Sequence, residues 1–129
     1  MLEQKVWTIE EVVELYHSPL LDLVYKAATV HRANHNHNEV QISTLLSVKT
    51  GGCPEDCGYC PQAARYHTGV ENEGLMSVKQ VEIAAKRAKL LGSSRLCMGA
   101  AWRNVKDGKE FDQVVDMVRA VNKEGMEVC

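Results

Sequence analysis

Apolar residues recur at helical spacing in several stretches of the chain, and short apolar runs between them suit strands. Thr8-Ile9-Glu10-Glu11 has the form of a capping box. In such a box the Thr8 hydroxyl accepts from the backbone N–H three residues on, and Glu11 reaches back. A short helix to about Tyr16 is predicted from it. Ser18-Pro19 predicts the start of a second helix, with Ser as N-cap and Pro at the first helical position, where no N–H is needed. Leu20, Leu23, Val24, Ala27, Ala28 and His31 share one face of that helix, which is expected to be buried. Residues 31–38, rich in His and Asn, read as a polar exit loop.

From 40 to 48 the period changes. Val40, Ile42 and Thr44 alternate with polar residues, and Leu45-Leu46 follow, which predicts a buried strand ended by Thr50-Gly51-Gly52. A long irregular segment then runs to about Met76. Ser77 caps a strongly periodic helix bearing Val78, Val81, Ala84, Ala85, Ala88 and Leu91, closed by Gly92. Lys86, Arg87 and Lys89 lie near its C-terminus, where cations suit the macrodipole, and they read as a solvated face. Residues 95–99 form a second short strand. Phe111, Val114, Val115, Val118 and Val121 mark another amphipathic helix, ended by Gly125, and Met126 opens a third strand. This βα repeat predicts an α/β fold with a parallel sheet, of the kind found in (β/α) barrels. Residues 1–38 are expected to be a helical segment and residues 39–129 the first, incomplete βα units. A closed eight-stranded barrel needs roughly 250 residues, so the chain reads as the N-terminal part of a larger protein, truncated after the start of the third strand.

The 129 residues are at most one domain's worth, 45% hydrophobic and 25% charged. Fifteen basic residues against seventeen acidic ones leave a net charge of −2, which gives no footprint for nucleic acid or an anionic membrane. The longest apolar stretches are short, as where Asp22 breaks Leu20-Leu21-Asp22-Leu23-Val24, so a membrane-spanning helix is excluded. The opening Met1-Leu2-Glu3-Gln4-Lys5-Val6-Trp7 lacks the apolar core of a secretory signal. A cytoplasmic, reducing compartment is expected, where five cysteines read as metal ligands rather than disulfides.

Three of those cysteines, Cys53, Cys57 and Cys60, fall at CxxxCxxC spacing on one loop, with Gly51, Gly52 and Gly58 to let the backbone wrap a centre. A four-iron cube normally takes four thiolates, and three would leave one iron open. A zinc site with His67 as fourth ligand and a disulfide within the loop are the alternatives. Cys97 lies five residues after Gly92 and Cys129 four after Gly125, so both fall at similar heights on consecutive strands. If Leu96, Met98 and Val128 face the helices, then Arg95, Cys97, Gly99 and Cys129 face the other way. On adjacent strands about 4.8 Å apart the two thiols could share a small cluster, or serve only as small buried hydrophobes. His31, His35 and His37 read as solvated histidines. Tyr59 either stacks on a ligand's ring or packs the loop. Trp102, just past the second strand, sits either at the barrel rim or in the core, and Lys49 at the end of the first strand has a similar place. There is no Walker loop, no GxGxxG and no Ser-His-Asp pattern.

STLLSVKTGG over residues 43–52, CPEDCGYCPQ over 53–62 and CMGAAW over 97–102 together resemble the biotin synthase family of the radical S-adenosylmethionine superfamily. Trp7-Thr8 and Pro19-Leu20-Leu21-Asp22-Leu23 share the likeness. CxxxCxxC alone marks the superfamily; its flanks and CMGAAW narrow the match. The resemblance implies a (β/α)8 TIM-type barrel, of which the first part is present. It implies that Cys53, Cys57 and Cys60 bind a [4Fe–4S] cluster whose fourth iron is chelated by S-adenosylmethionine. Tyr59 would lie against the adenine, Ala100 and Trp102 near the nucleoside, and Lys49 toward the substrate. Cys97 and Cys129 would be two ligands of a [2Fe–2S] cluster. The implied activity is a sulfurtransferase's. S-adenosylmethionine is cleaved to a 5′-deoxyadenosyl radical, the radical takes hydrogen from dethiobiotin, and cluster sulfur is inserted to give biotin. A reducing electron-transfer protein and, for the full-length enzyme, a homodimer are implied partners. The chain by itself is expected to make no biotin. Another radical S-adenosylmethionine enzyme and a non-catalytic zinc-binding module built on the cysteine loop are the competing readings.

Overall fold

Two capping boxes set where helices begin, and a three-stranded parallel sheet organises the chain beyond its N-terminal helices. The computed structural model describes residues 5–104 and 106–129; the first four residues of the opening Met1–Trp7 stretch lie outside them. The elements are α1 (Ile9–Tyr16), α2 (Leu20–Asn34), β1 (Ser43–Lys49), α3 (Val78–Leu90), β2 (Arg95–Ala100), α4 (Lys109–Lys123) and β3 (Glu127–Val128). They fall into two units, Met1–Val40 and Gln41–Cys129.

In the first unit, α1 starts where the capping box places it. Glu11 N donates to Thr8 Oγ1 at 3.2 Å and Thr8 N donates to Glu11 Oε2 at 3.0 Å. That backbone bond, with Lys5 alongside, holds the Glu11 carboxyl below its ordinary pKa. The start of α2 differs from expectation. Pro19, not Ser18, is the N-cap and no side chain caps the helix, because the Ser18 hydroxyl donates backward to the Glu14 carbonyl at 3.1 Å. α2 also continues through 31–34, expected as loop; Asn34 Nδ2 donates to Val30 O at 2.8 Å, bonding back along the helix rather than ending it early. The apolar face of α2 is not buried: Leu20 is 73% exposed and only Leu23 is half-covered. Two helices of eight and fifteen residues offer each other too little surface to close a core.

In the second unit, Ser77 caps α3 as expected. Gln80 N donates to Ser77 Oγ at 3.3 Å, and Ser77 N donates to Gln80 Oε1 at 2.8 Å. Ser77→Ala is expected to cost about 1 kcal/mol, read as a lower urea midpoint with an unchanged slope. The strands run in the order β1-β2-β3, all parallel, pairing Leu45 with Cys97, Arg95 with Glu127 and Leu96 with Val128. Side chains alternate between the two faces of the sheet. One face sends Val48 and Leu96 into a core with Val81, Ala85 and Ala88 of α3, Met117 and Val121 of α4, and Met126. Leu46, Met98 and Val128 pack against its edge. The pattern of α4 named valines but missed Met117, which is completely buried, while Phe111 is 39% exposed. Leu91, expected on the buried face of α3, lies past its last turn and is exposed.

The other face of the sheet is open. Leu45 is 78% exposed, so β1 is covered on one side only rather than buried as its apolar run suggested. β1 begins at Ser43, later than the alternation from Val40 predicted, and β2 extends one residue further, to Ala100. The observed architecture is thus a small α/β unit, with helices against one face of a parallel sheet.

Candidate functional site

The chain leaves β1 at its C-terminal end through Thr50-Gly51-Gly52 and enters the three-cysteine loop. Gly51 (φ +71°) and Gly52 (φ +64°) both take the left-handed conformation that suits glycine. A Cβ on Gly51 would run into the Glu71 carbonyl oxygen, and one on Gly52 would sit 2.6 Å from Asn72 Nδ2. Gly51→Ala is therefore expected to destabilise the unit by about 1–3 kcal/mol, measurable by chemical denaturation. Gly51 N donates to Gln62 Oε1 at 2.9 Å. Cys53 then pairs with the returning chain: Cys53 N donates to Gln62 O at 3.0 Å and Ala64 N to Cys53 O at 2.8 Å. Cys60 N donates to Cys57 O at 3.0 Å, so these two cysteines close one turn. Cys53 is buried, Cys60 half-buried and Cys57 exposed, and all three are free thiols.

Both acids of CPEDC are paired with arginines. Arg103, just past β2, donates from Nε to Glu55 Oε1 at 2.6 Å and from Nη2 to Pro54 O at 3.4 Å. Asp56 pairs with Arg65. The segment that carries Arg103 is itself fixed to β1, as Ala101 N donates to Lys49 O at 2.9 Å. Sequence reasoning missed Arg103, Arg65 and Gln62. The signal available was two carboxylates placed among three candidate thiolates, an arrangement that calls for counter-charges.

Among the described residues, no three His, Cys, Asp or Glu side chains gather closely enough to hold one metal ion. A four-iron cube asks for a different arrangement, because each thiolate binds its own iron and the ligands spread around the cluster. Three free thiols within eight residues, on a loop that turns through two left-handed glycines, fit that donor set. His67, the candidate fourth zinc ligand, lines a hollow of about 390 Å³ with Gly52, Gln62 and Asn72.

On the open face of the sheet, Cys97 and Cys129 meet with their Sγ atoms 2.7 Å apart. Their backbones are adjacent: Met98 N donates to Cys129 O at 2.7 Å and Cys129 N to Leu96 O at 3.2 Å. The contact with Cys129 pushes the pKa of the Cys97 thiol up, with desolvation adding and Arg95 opposing. Next to them, Arg95 donates from Nε and Nη2 to Glu127 Oε2 at 3.0 and 2.6 Å, and Gln41 Nε2 adds a third bond at 2.9 Å. Arg95 thereby lowers the pKa of the Glu127 carboxyl. The thiols of Cys97 and Cys129 form a pair apart from the three-cysteine loop.

The remaining candidates lie around the C-terminal ends of the strands or elsewhere. Tyr59 is 92% exposed, so it does not pack the loop. Lys49 is half-buried at the last position of β1, and Ala100 is exposed at the last position of β2. Trp102 is half-buried outside the core and lines a hollow of about 370 Å³ with Asn104 and Gly108, so it is not a core plug. His31 and His35 stack at 5.3 Å between ring centroids in the first unit, and they and His37 are exposed. Among the described residues, no helix is long and apolar enough to cross a membrane.

No protein-family model matches the chain. Curated relatives do. The biotin synthase of Flavobacterium johnsoniae is 68% identical over 123 residues, which is 95% of this chain and 34% of that protein. The biotin synthase of Christiangramia forsetii is also 68% identical, and that of Pasteurella multocida 53%, each over 95% of this chain. The chain spans about a third of the length of the curated relatives it matches. A zinc-binding module is not favoured by these relationships.

Proposed function

With the chain's kinship to the biotin synthases as premise, we propose that it works in the conversion of dethiobiotin to biotin, as a radical S-adenosylmethionine sulfurtransferase. The observation that carries this reading is the CxxxCxxC loop at the C-terminal end of β1. In (β/α)8 barrels that end of the strands is where active sites are built. The three parallel strands are accordingly the opening strands of such a barrel, and residues 1–38 a helical segment preceding it.

Cys53, Cys57 and Cys60 hold three irons of a [4Fe–4S] cluster and leave the fourth for the amino and carboxylate groups of S-adenosylmethionine. When bound, that cluster supplies the electron that cleaves S-adenosylmethionine. Tyr59, with its ring in solvent, is free to lie against the adenine, while Ala100 and Trp102 border the nucleoside. Lys49, at the last position of β1, would approach the substrate end. Cys97 and Cys129 supply two of the ligands of a [2Fe–2S] cluster, the source of sulfur. A reducing electron-transfer protein, a homodimeric assembly and a cytoplasmic location complete the reading.

Anaerobic reconstitution with iron and sulfide in the presence of competing zinc tests the proposal. About four irons per chain, with matching acid-labile sulfide, are expected for the loop. Zinc bound without sulfide would overturn it. Two thiols do not complete a [2Fe–2S] site, so this chain alone is expected to form no biotin from dethiobiotin above a no-protein control.

A further inference from the structure

We propose that Arg103 is a positioning residue for the three-cysteine loop, tying its tip to the segment after β2; this rests on the proposed function, since it gives that loop the cluster. The base of the loop is well held, by the pairing of Cys53 with Ala63 and by the Gly51–Gln62 bond. The tip is not. Among the described residues, the bonds that residues 54–59 receive from beyond the loop come from Arg103 and Arg65. Arg65 follows Ala64 on the returning chain, whose N donates to Cys53 O at 2.8 Å, so its pairing with Asp56 ties the tip only to the loop's own base. Arg103 is 48 residues from Glu55 in sequence and belongs to a different strand's exit. Its planar guanidinium takes two acceptors at once, the Glu55 carboxylate and the Pro54 carbonyl. Because Ala101 N is bonded to Lys49 O, the tether ends on a segment fixed to β1. One arginine thus links the cysteine loop, the end of β1 and the segment holding Ala100 and Trp102. It also cancels one of the two carboxylate charges that lie among the thiolates.

The test uses the reduced, metal-free chain and iodoacetamide. Pro54, whose carbonyl Arg103 holds, directly follows Cys53, so release of the tether loosens the chain that covers Cys53, which is only 9% exposed, whereas exposed Cys57 reacts directly. The Cys53-to-Cys57 rate ratio therefore reports loop opening. Arg103→Ala is expected to raise that ratio about two- to fivefold, the size an exposed ion pair supports, with the melting midpoint unchanged. Exchanging the charges, Glu55→Arg with Arg103→Glu, is expected to bring the ratio back toward wild type. In iron- and sulfide-reconstituted samples, Arg103→Ala is also expected to raise the S-adenosylmethionine concentration needed for half of the change in the electron paramagnetic resonance spectrum. Arg103→Glu cannot donate to Pro54 O, so the return is partial; an unchanged ratio in Arg103→Ala, or one no lower in the exchanged pair than in Arg103→Ala, overturns the proposal. The alkylation result stands whether or not the loop binds a cluster, so failure of the cluster reading is seen separately.

Discussion

If the loop holds the proposed cube, replacing Cys60 with Ala is expected to take the reconstituted chain from about four irons to fewer than one. The reason is the small number of ligands. Three thiolates already leave one iron without a protein ligand, and removing another leaves half the cube unsupported. Cys97→Ala is the matched control: it lies on β2, paired with Cys129, and its replacement leaves the iron of the loop in place. Iron and acid-labile sulfide assays on the two variants check this directly. Equal iron loss in both would mean that the metal is not held by the loop.

Leu96→Ala is expected to destabilise the second unit by about 2–5 kcal/mol, a large share of the roughly 5–15 kcal/mol that holds a typical domain folded. Leu96 lies on the central strand, is wholly buried and belongs to the cluster with Val81, Val48, Met117 and Val121. Removing it opens a cavity between the sheet and both helices. Leu45→Ala, on the neighbouring strand but 78% exposed, is expected to change stability by no more than about 0.5 kcal/mol. Urea unfolding of the two variants reads the contrast. A large loss at Leu45 would show that the open face of the sheet is covered in solution.

What could be read from the sequence was what local chemistry decides. Thr8 and Ser77 start α1 and α3 because a capping box is complete within four residues. Ser18 has the same chemistry available but spends its hydroxyl on Glu14, a choice set by the preceding helix end and invisible to pattern reading. The meeting of Cys97 and Cys129 followed from the two-residue period of a strand and the similar distances from Gly92 and Gly125. Burial was less legible. The apolar face of α2 and the side chain of Leu45 are as hydrophobic as residues in the core, and the sequence does not state whether a partner surface covers them. Met117 escaped notice because it lies among valines that carry the pattern more strongly. At the cysteine loop the donor set was evident from spacing, whereas the Arg103 tether was not, because its two ends lie 48 residues apart and meet only when β1 and β2 are paired.

The central claim, that the loop holds a cluster with one iron open to a small molecule, is tested most directly by electron paramagnetic resonance of the reduced, reconstituted chain. Spectra are recorded with and without S-adenosylmethionine. A cluster signal whose shape changes when S-adenosylmethionine is added is the predicted result, and it should disappear in Cys60→Ala. A cluster signal that S-adenosylmethionine leaves unaltered would contradict the claim, since it would mean that all four irons are already satisfied.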